Sequence, residues 1–214
     1  MIKIFHSEFL IISNIFNYSK ITKLFFDLDK KEDILKTALD LFVKSGFHAT
    51  PTSKIAKEAG MANGTLFHYF KTKEELIIAL YTEHQNCFTA FIHTNTISDE
   101  SLKHMFHSFF SSSINWINDN KSAFQFMQQF TLSPFYQFIS KEYINKQDSL
   151  LVELLQKGIE EEILKKLPLE LLRTLINSHI IGINSYLSTQ DMSAEHSNMI
   201  IHQSFSLLWD MISL

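Results

Sequence analysis

Five glycines and three prolines are all the backbone punctuation in 214 residues. Glycine supplies most positive-φ turns and proline stops helices, so a chain this poor in both cannot make the many tight turns of an all-β sandwich. It can make long helices with few interruptions. Hydrophobic residues are 45% of the chain and charged residues 20%, enough apolar surface to close a core and too little charge for wholesale disorder. No apolar run reaches the ~18 residues of a membrane span. The single cysteine, Cys87, rules out an internal disulfide framework and a Cys-cluster zinc site. A reducing, cytoplasmic setting is expected. The net charge of −4 excludes a general nucleic-acid coat, so any nucleic-acid site is a local patch.

That charge is unevenly spread. Residues 30–75 carry eight lysines against six acids, whereas residues 76–214 carry seven lysines and Arg173 against fourteen acids. Gly46, Gly60, Gly64 and Pro51 also fall in the first window. A short, slightly basic, turn-containing module therefore precedes a long acidic helical body. The layout expected is an N-terminal extension of uncertain role over 1–28, a turn-containing module over 29–75 and a helical body over 76–214. Ile4 to Phe16 is mostly apolar but is interrupted by His6, Glu8 and Asn14, and it lacks the small-residue cleavage site of a signal peptide. It reads as an extra helix or a frayed tail.

Within the module, Ile34, Leu35, Ala38, Leu41 and Phe42 lie on one face of a helix. Asp29 is its expected cap, and Gly46 stops it. Thr50-Pro51 reads as a hydroxyl cap followed by proline at the first helical position, with Ile55, Ala56 and Ala59 facing inward. After Gly60 a third helix pairs Leu66 with Phe70 at i, i+4. Thr72 to Glu75 forms a capping box that opens a fourth helix. Two short helices across a tight glycine turn form a helix-turn-helix: the first braces on the phosphate backbone and the second presents side chains to the major groove. Asn63, Thr65, His68 and Tyr69 point outward. Asn, Thr and His suit base edges. Thr50, Thr52, Ser53, Lys54, Lys71 and Lys73 suit phosphates at the rim. Gly64 allows the backbone close to the duplex.

The run from Gly46 to Leu76 carries Ile55-Ala56-Lys57-Glu58-Ala59-Gly60, then Gly64-Thr65-Leu66, His68-Tyr69-Phe70 and Lys71-Thr72-Lys73-Glu74-Glu75-Leu76. In these motifs and their spacing it resembles the DNA-binding domain of the tetracycline-repressor (TetR) family of transcriptional regulators. With the preceding helix from Glu32, the resemblance covers about a fifth of the chain. It implies an all-α protein: an N-terminal three-helix helix-turn-helix domain, then an all-helical domain that binds a small effector and forms a homodimer on a near-palindromic operator in double-stranded DNA. By position, it implies that Thr50 caps the second helix near a phosphate, that Thr65 and His68 face the groove, that Tyr69 reaches backbone or base, and that Lys71 and Lys73 hold phosphate. The chain departs from the family pattern at three positions. Ala62 stands where a hydroxyl cap is usual, which leaves Asn63 as the substitute cap. Asn63 replaces a common lysine. Phe67, expected among the DNA-binding residues with its neighbours on this helix, replaces a tyrosine and loses a hydroxyl.

The body reads as helices near 98–118, 121–138, 140–164, 168–188 and 193–213, with Ser98 or Asp99, Asn120 and Pro168 at starts and Pro134 as a kink or an end. No segment alternates with period 2, so no sheet is expected. Aromatic and methionine side chains concentrate between Phe88 and Phe138. Phe88, Phe91, Met105, Phe109, Trp116, Phe124, Met127 and Phe130 are the candidate lining of a cavity for an apolar or aromatic effector. His104, His107, Ser111, Asn115 and Gln128 are candidates to orient it. The last two helices, with Leu171, Ile183, Leu187, Ile200, Leu207 and Met211, carry more apolar surface than one core needs, as a two-fold interface requires.

Phosphate-binding loops, nucleophile elbows and His-Glu-x-x-His are all missing, so no catalytic residue, metal or cofactor is expected. Two alternatives stay open. One is a helical metal-dependent enzyme using His104 and His107 beside Glu100. The other is a helical interaction protein whose module, altered at Ala62 and Phe67, no longer reads DNA.

Overall fold

The structure, a computed structural model, describes residues 18–97 and 101–214. The apolar stretch Ile4 to Phe16, the helix-start residues Ser98 and Asp99, and Glu100 of the metal alternative lie outside the described residues. Ten α-helices account for most of the described chain, and no strand forms there beyond one isolated antiparallel bridge, Leu164 to Ser213. The chain falls into two compact units that divide between Ile77 and Ile78.

The first unit begins with α1 (Tyr18–Ser45). Ile34, Leu35, Ala38, Leu41 and Phe42 are all buried on its inner face. The helix runs unbroken through Asp29, so Asp29 is not its cap. Gly46 ends it at φ 76°, with its N–H donating to Phe42 O at 2.8 Å. Phe47 then folds back edge-on to Phe42, ring centroids 5.4 Å apart.

Helix α2 (Thr52–Glu58) buries Ile55 and Ala56. Its N-cap is Pro51, in extended conformation, not Thr50. The Thr50 side chain is fully buried, and its hydroxyl lies 2.8 Å from Gly46 O and 3.3 Å from Leu41 O, so it ties the α1 terminus to the α2 start. Gly60, at φ 71°, turns the chain into α3 (Asn63–Tyr69). Leu66 and Phe70 anchor α3 inward. Ala62 occupies its cap position and offers no side-chain acceptor; Asn63 is already the first helical residue, so it is not the substitute cap.

Helix α4 (Lys73–Asn95) opens as the capping-box pattern predicts, with Glu75 N–H donating to Thr72 Oγ1 at 3.1 Å. The returning Glu75 carboxylate accepts from Lys71 N–H at 2.7 Å, one residue upstream of the standard box. Leu76 and Ile77 close the first core.

The second unit is built around α5 (Leu102–Asp119), which packs against α6 (Lys121–Thr131), α8 (Ser149–Glu160), α9 (Leu169–Ser188) and α10 (Ala194–Ile212). Its buried face runs through Phe106, Phe109, Phe110, Ile114 and Trp116. Pro134 ends the α6 stretch early and starts a 3-10 turn, Pro134–Phe138. The single helix expected over 140–164 is two: α7 (Lys141–Gln147) and α8, jointed at Asp148. Asp148 leaves helical geometry there while its carboxylate pairs with Arg173 on α9. Helix α8 ends in a left-handed cap with Glu162 at φ 56° where glycine is usual, and Ile163 N–H donates to Gly158 O at 2.9 Å. Leu164 packs into the space over Gly158, where an added Cβ would lie 2.6 Å from its side chain.

Candidate nucleic-acid interface and ligand cavity

Helix α3 has two sides of different character. Leu66 and Phe70 lock it to the first core, and Thr65 and Tyr69 are half-buried on its flanks. Asn63, Gly64, Phe67 and His68, at spacings 0, 1, 4 and 5, form one continuous exposed strip. The Asn63 side chain makes no hydrogen bond within the described residues, and His68 stands edge-on to Tyr69 with ring centroids 5.4 Å apart. Phe67 is 37% exposed, a large apolar ring facing solvent. Lys71 lies at the C-terminal end of α3, its ammonium 3.4 Å from both Phe67 O and His68 O. On α2, Ser53 and Lys54 are exposed and Thr52 half-buried, and Lys54 faces Glu58 at 3.9 Å.

Two expected phosphate ligands are committed elsewhere. The Thr50 hydroxyl is buried inside the first unit. Lys73 donates to Phe47 O, and its partly buried ammonium has its pKa lowered chiefly by that burial, which disfavours the charge a phosphate contact needs. Both serve the turn after α1.

The second unit holds a cavity of about 480 Å³. This lies within the usual range for small-molecule sites, about 300–1,000 Å³. Of the eight expected lining residues it brings together Phe88, Phe109, Trp116, Phe124 and Met127. The other three fall outside it. Phe91 and Met105 pack against the core, and Phe130 is fully buried behind the wall, stacked on Tyr81 with centroids 4.1 Å apart. Of the polar candidates only Gln128 lines it; Ser113 does so in place of Ser111. The Ser111 hydroxyl is instead buried with no hydrogen-bond partner among the described residues. His107 Nε2 faces His202 Nδ1 at 3.3 Å. Among the described residues no three His, Cys, Asp or Glu side chains converge as a metal would require.

The sequence reading missed the opposite wall: Tyr81 and Gln85 from α4, Asp148 from the α7–α8 joint, and Asn177, Ile180 and Ile181 from α9. Tyr81, Gln85, Gln147, Asp148, Asn177 and Ile181 also line a second, polar chamber of about 320 Å³, so the two chambers adjoin. Its distinctive residues are Tyr136, Tyr143 and Arg173. One signal for them was present: Arg173 is the sole arginine in a chain whose other basic residues are lysine.

Arg173 pairs with Asp148 through one terminal nitrogen and with Glu170 at 2.6 Å through the other. Burial pushes the Asp148 carboxyl above its usual range despite Arg173 beside it. The Tyr81 phenol is pushed up by burial and by Tyr136, Tyr143 and Asp148, and the Tyr136 phenol by burial and Asp148. Both therefore stay protonated as hydrogen-bond donors. Tyr143 is already engaged, its hydroxyl 3.2 Å from Thr82 O and 3.1 Å from Asn86 Oδ1.

Residues 34–80 match the family model described as bacterial regulatory proteins, tetR family, and residues 81–214 match the one described as tetracyclin repressor-like, C-terminal domain. The fatty acid metabolism regulator protein of Bacillus subtilis (strain 168) is 41% identical over 59 residues, 28% of this chain and 30% of that protein. Alignments with several other curated regulators likewise span only 18% to 29% of their lengths. A solved tetR-family transcription regulator from Shewanella sp. PV-4 superposes with a TM-score of 0.76 at 29% identity, covering 86% of this chain and 98% of that one. FadR from Bacillus subtilis, solved in complex with stearoyl-CoA, shares the fold with a TM-score of 0.67 at 24% identity, covering 82% of this chain and 97% of its own.

Proposed function

The chain belongs to the tetracycline-repressor family of bacterial regulatory proteins, and from that premise we propose that it is a repressor whose grip on an operator is released by a small apolar or aromatic effector. The observation that carries the DNA reading is the continuous outward strip Asn63, Gly64, Phe67 and His68 on α3, held in place by buried Leu66 and Phe70. Its polar members reach base edges, while Ser53, Lys54 and Lys71 hold the phosphate backbone. The cavity between α4, α5, α6 and α9 takes the effector, and the fold neighbour that holds stearoyl-CoA supports room for an apolar ligand there. No helix among the described residues is long and apolar enough to cross a membrane. The role is regulatory, not catalytic, and is exercised in the cytoplasm, where the DNA is.

A near-palindromic operator is read by two copies. Helices α9 and α10 offer the surface for pairing: Leu171, Ile181, Tyr186, Met199, Leu207 and Met211 are all exposed there. Met199, Leu207 and Met211 fall on one side of α10 at multiples of four residues.

The deciding experiment is a mobility-shift titration with DNA flanking the protein's own gene, comparing wild type with His68→Ala/Lys71→Ala. The double variant loses sequence preference with His68. With Lys71 it loses about 0.9 from the salt slope per phosphate contact, once in each protomer. Unchanged affinity and slope would refute the interface.

A further inference from the structure

We propose that the effector is an amphiphilic organic acid, its apolar body in the larger chamber and its carboxylate seated on Arg173 in place of Asp148. This rests on the reading of the cavity as the effector site and gives that effector a head group. The two chambers differ in chemistry. Phe88, Trp116, Phe124 and Met127 make the first an apolar slot, whereas the charged residues lining the second are Asp148 and Arg173 alone.

The polar side chains there that have no hydrogen-bond partner within the described residues point the same way. They are Tyr81, Tyr136, Gln85, Asn177 and Ser178, while Tyr143 and Gln147 are already held by Asn86 and neighbouring groups on α4. Two phenols and two amides beside a guanidinium are a donor-rich set, suited to acceptor oxygens.

The Arg173–Asp148 pair can also open on one side more easily than the other. Arg173 cannot shed its proton, and it keeps Glu170 on its second nitrogen. Asp148 is a partly buried carboxyl whose burial raises its pKa, so its charge is less favoured than that of an exposed carboxylate. An arriving carboxylate thus exchanges one anion for another on the same guanidinium. Protonation of the displaced Asp148 by solvent would keep the chamber's charge. A cationic head would have to displace Arg173, which cannot shed its proton, from Asp148. Asp148 is also the joint between α7 and α8, so the exchange releases the contact that ties this joint to α9.

The test uses the full-length protein without DNA, reading quenching of Trp116 fluorescence and titration calorimetry. The probes are four ligands with the same twelve-carbon chain, each below its micelle-forming concentration or solubility limit: dodecanoate, its methyl ester, dodecanol and dodecyltrimethylammonium. Dodecanoate should bind about ten- to a hundred-fold more tightly than the ester or the alcohol, the scale of a hydrogen bond to a charged group. Arg173→Gln should erase that preference while leaving dodecanol binding in place. Asp148→Asn, which removes the competing anion and keeps Arg173, should tighten dodecanoate, so the proposal stays testable if the Arg173 variant fails to fold. Equal binding of acid and ester, preference for the ammonium, or an Arg173→Gln protein with its preference intact would each overturn it while leaving the apolar cavity standing. Failure of all four ligands would overturn the cavity reading as well. DNA binding is a separate measurement that none of these outcomes touches.

Discussion

Replacing Gly64 with alanine separates folding from DNA reading. Gly64 is the second residue of α3, outside the left-handed region, and an added Cβ there meets nothing within 4 Å. Alanine in a helix interior is favoured over glycine by about 0.8–1.0 kcal/mol. In the first turn roughly half of that, about 0.5 kcal/mol, is expected. On the scale of about 2–4 °C per kcal/mol for a chain of this size, the melting temperature should rise by about 1–2 °C. If the outward strip of α3 sits in the major groove, the same methyl group holds the backbone off the duplex. The loss should match that of one base contact, about 1–3 kcal/mol per half-site, or roughly 5- to 150-fold. Thermal melting of the free protein and anisotropy titration of a labelled operator fragment read the two effects independently. A more stable protein that binds DNA as tightly as before would refute the groove assignment. A less stable one would refute the backbone geometry at Gly64.

Three further outcomes are expected. Thr50→Val removes a buried hydroxyl that donates to Gly46 O and Leu41 O, which should cost about 1 kcal/mol and about 2–4 °C in melting; affinity per folded molecule should hold, and a DNA defect without a stability defect would restore Thr50 as a phosphate ligand. Burial, then His202 and His104, hold the His107 pKa below its ordinary value, so the unfolded chain binds the proton first and stability falls as pH drops from about 7 through the folded pKa; His107→Gln should flatten melting temperature against pH, and parallel curves would refute this. Leu207→Glu puts a charge on the exposed face of α10 and should yield monomers by size-exclusion with light scattering; a dimer of undiminished stability would move the interface elsewhere.

The first unit was legible because its signals are local. The inner face of α1, the glycine turns and the Thr72–Glu75 box each lie within one or two helical turns of sequence. Its failures came from choices between two local uses of one side chain. Thr50 and Lys73 have the right chemistry for phosphate, but tertiary folding brought carbonyls of the α1 terminus to them first. The second unit was legible in class and not in detail. A stripe of Phe and Met has one composition whether it fills a core or faces a cavity, so Phe130 and Phe109 could not be told apart before α4 and α9 were placed. The expected helix breaks at Asp148, whose side chain pairs with Arg173 twenty-five residues later, and nothing within α7 or α8 announces that partner.

Helix α4 is where the two readings meet. It contributes Leu76 and Ile77 to the first core and Tyr81 and Phe88 to the wall of the cavity, with no break in between. An effector can release DNA only through its differential affinity for two states, and the coupling must be the same measured from either ligand. On the function proposed above, α4 is the covalent route by which occupancy at Tyr81 and Phe88 would reach the residues just after Lys71. Ala79, between the two sets, is half-buried. Ala79→Gly should loosen the helix locally, at about 1 kcal/mol in stability. Effector affinity measured without DNA, and operator affinity measured without effector, should change little. The ratio between operator affinities with and without effector, typically about 5- to 150-fold in coupled systems, should shrink several-fold. If that ratio survives unchanged while both binding events are intact, α4 does not carry the signal, and the coupling must run through the pairing of protomers at α9 and α10.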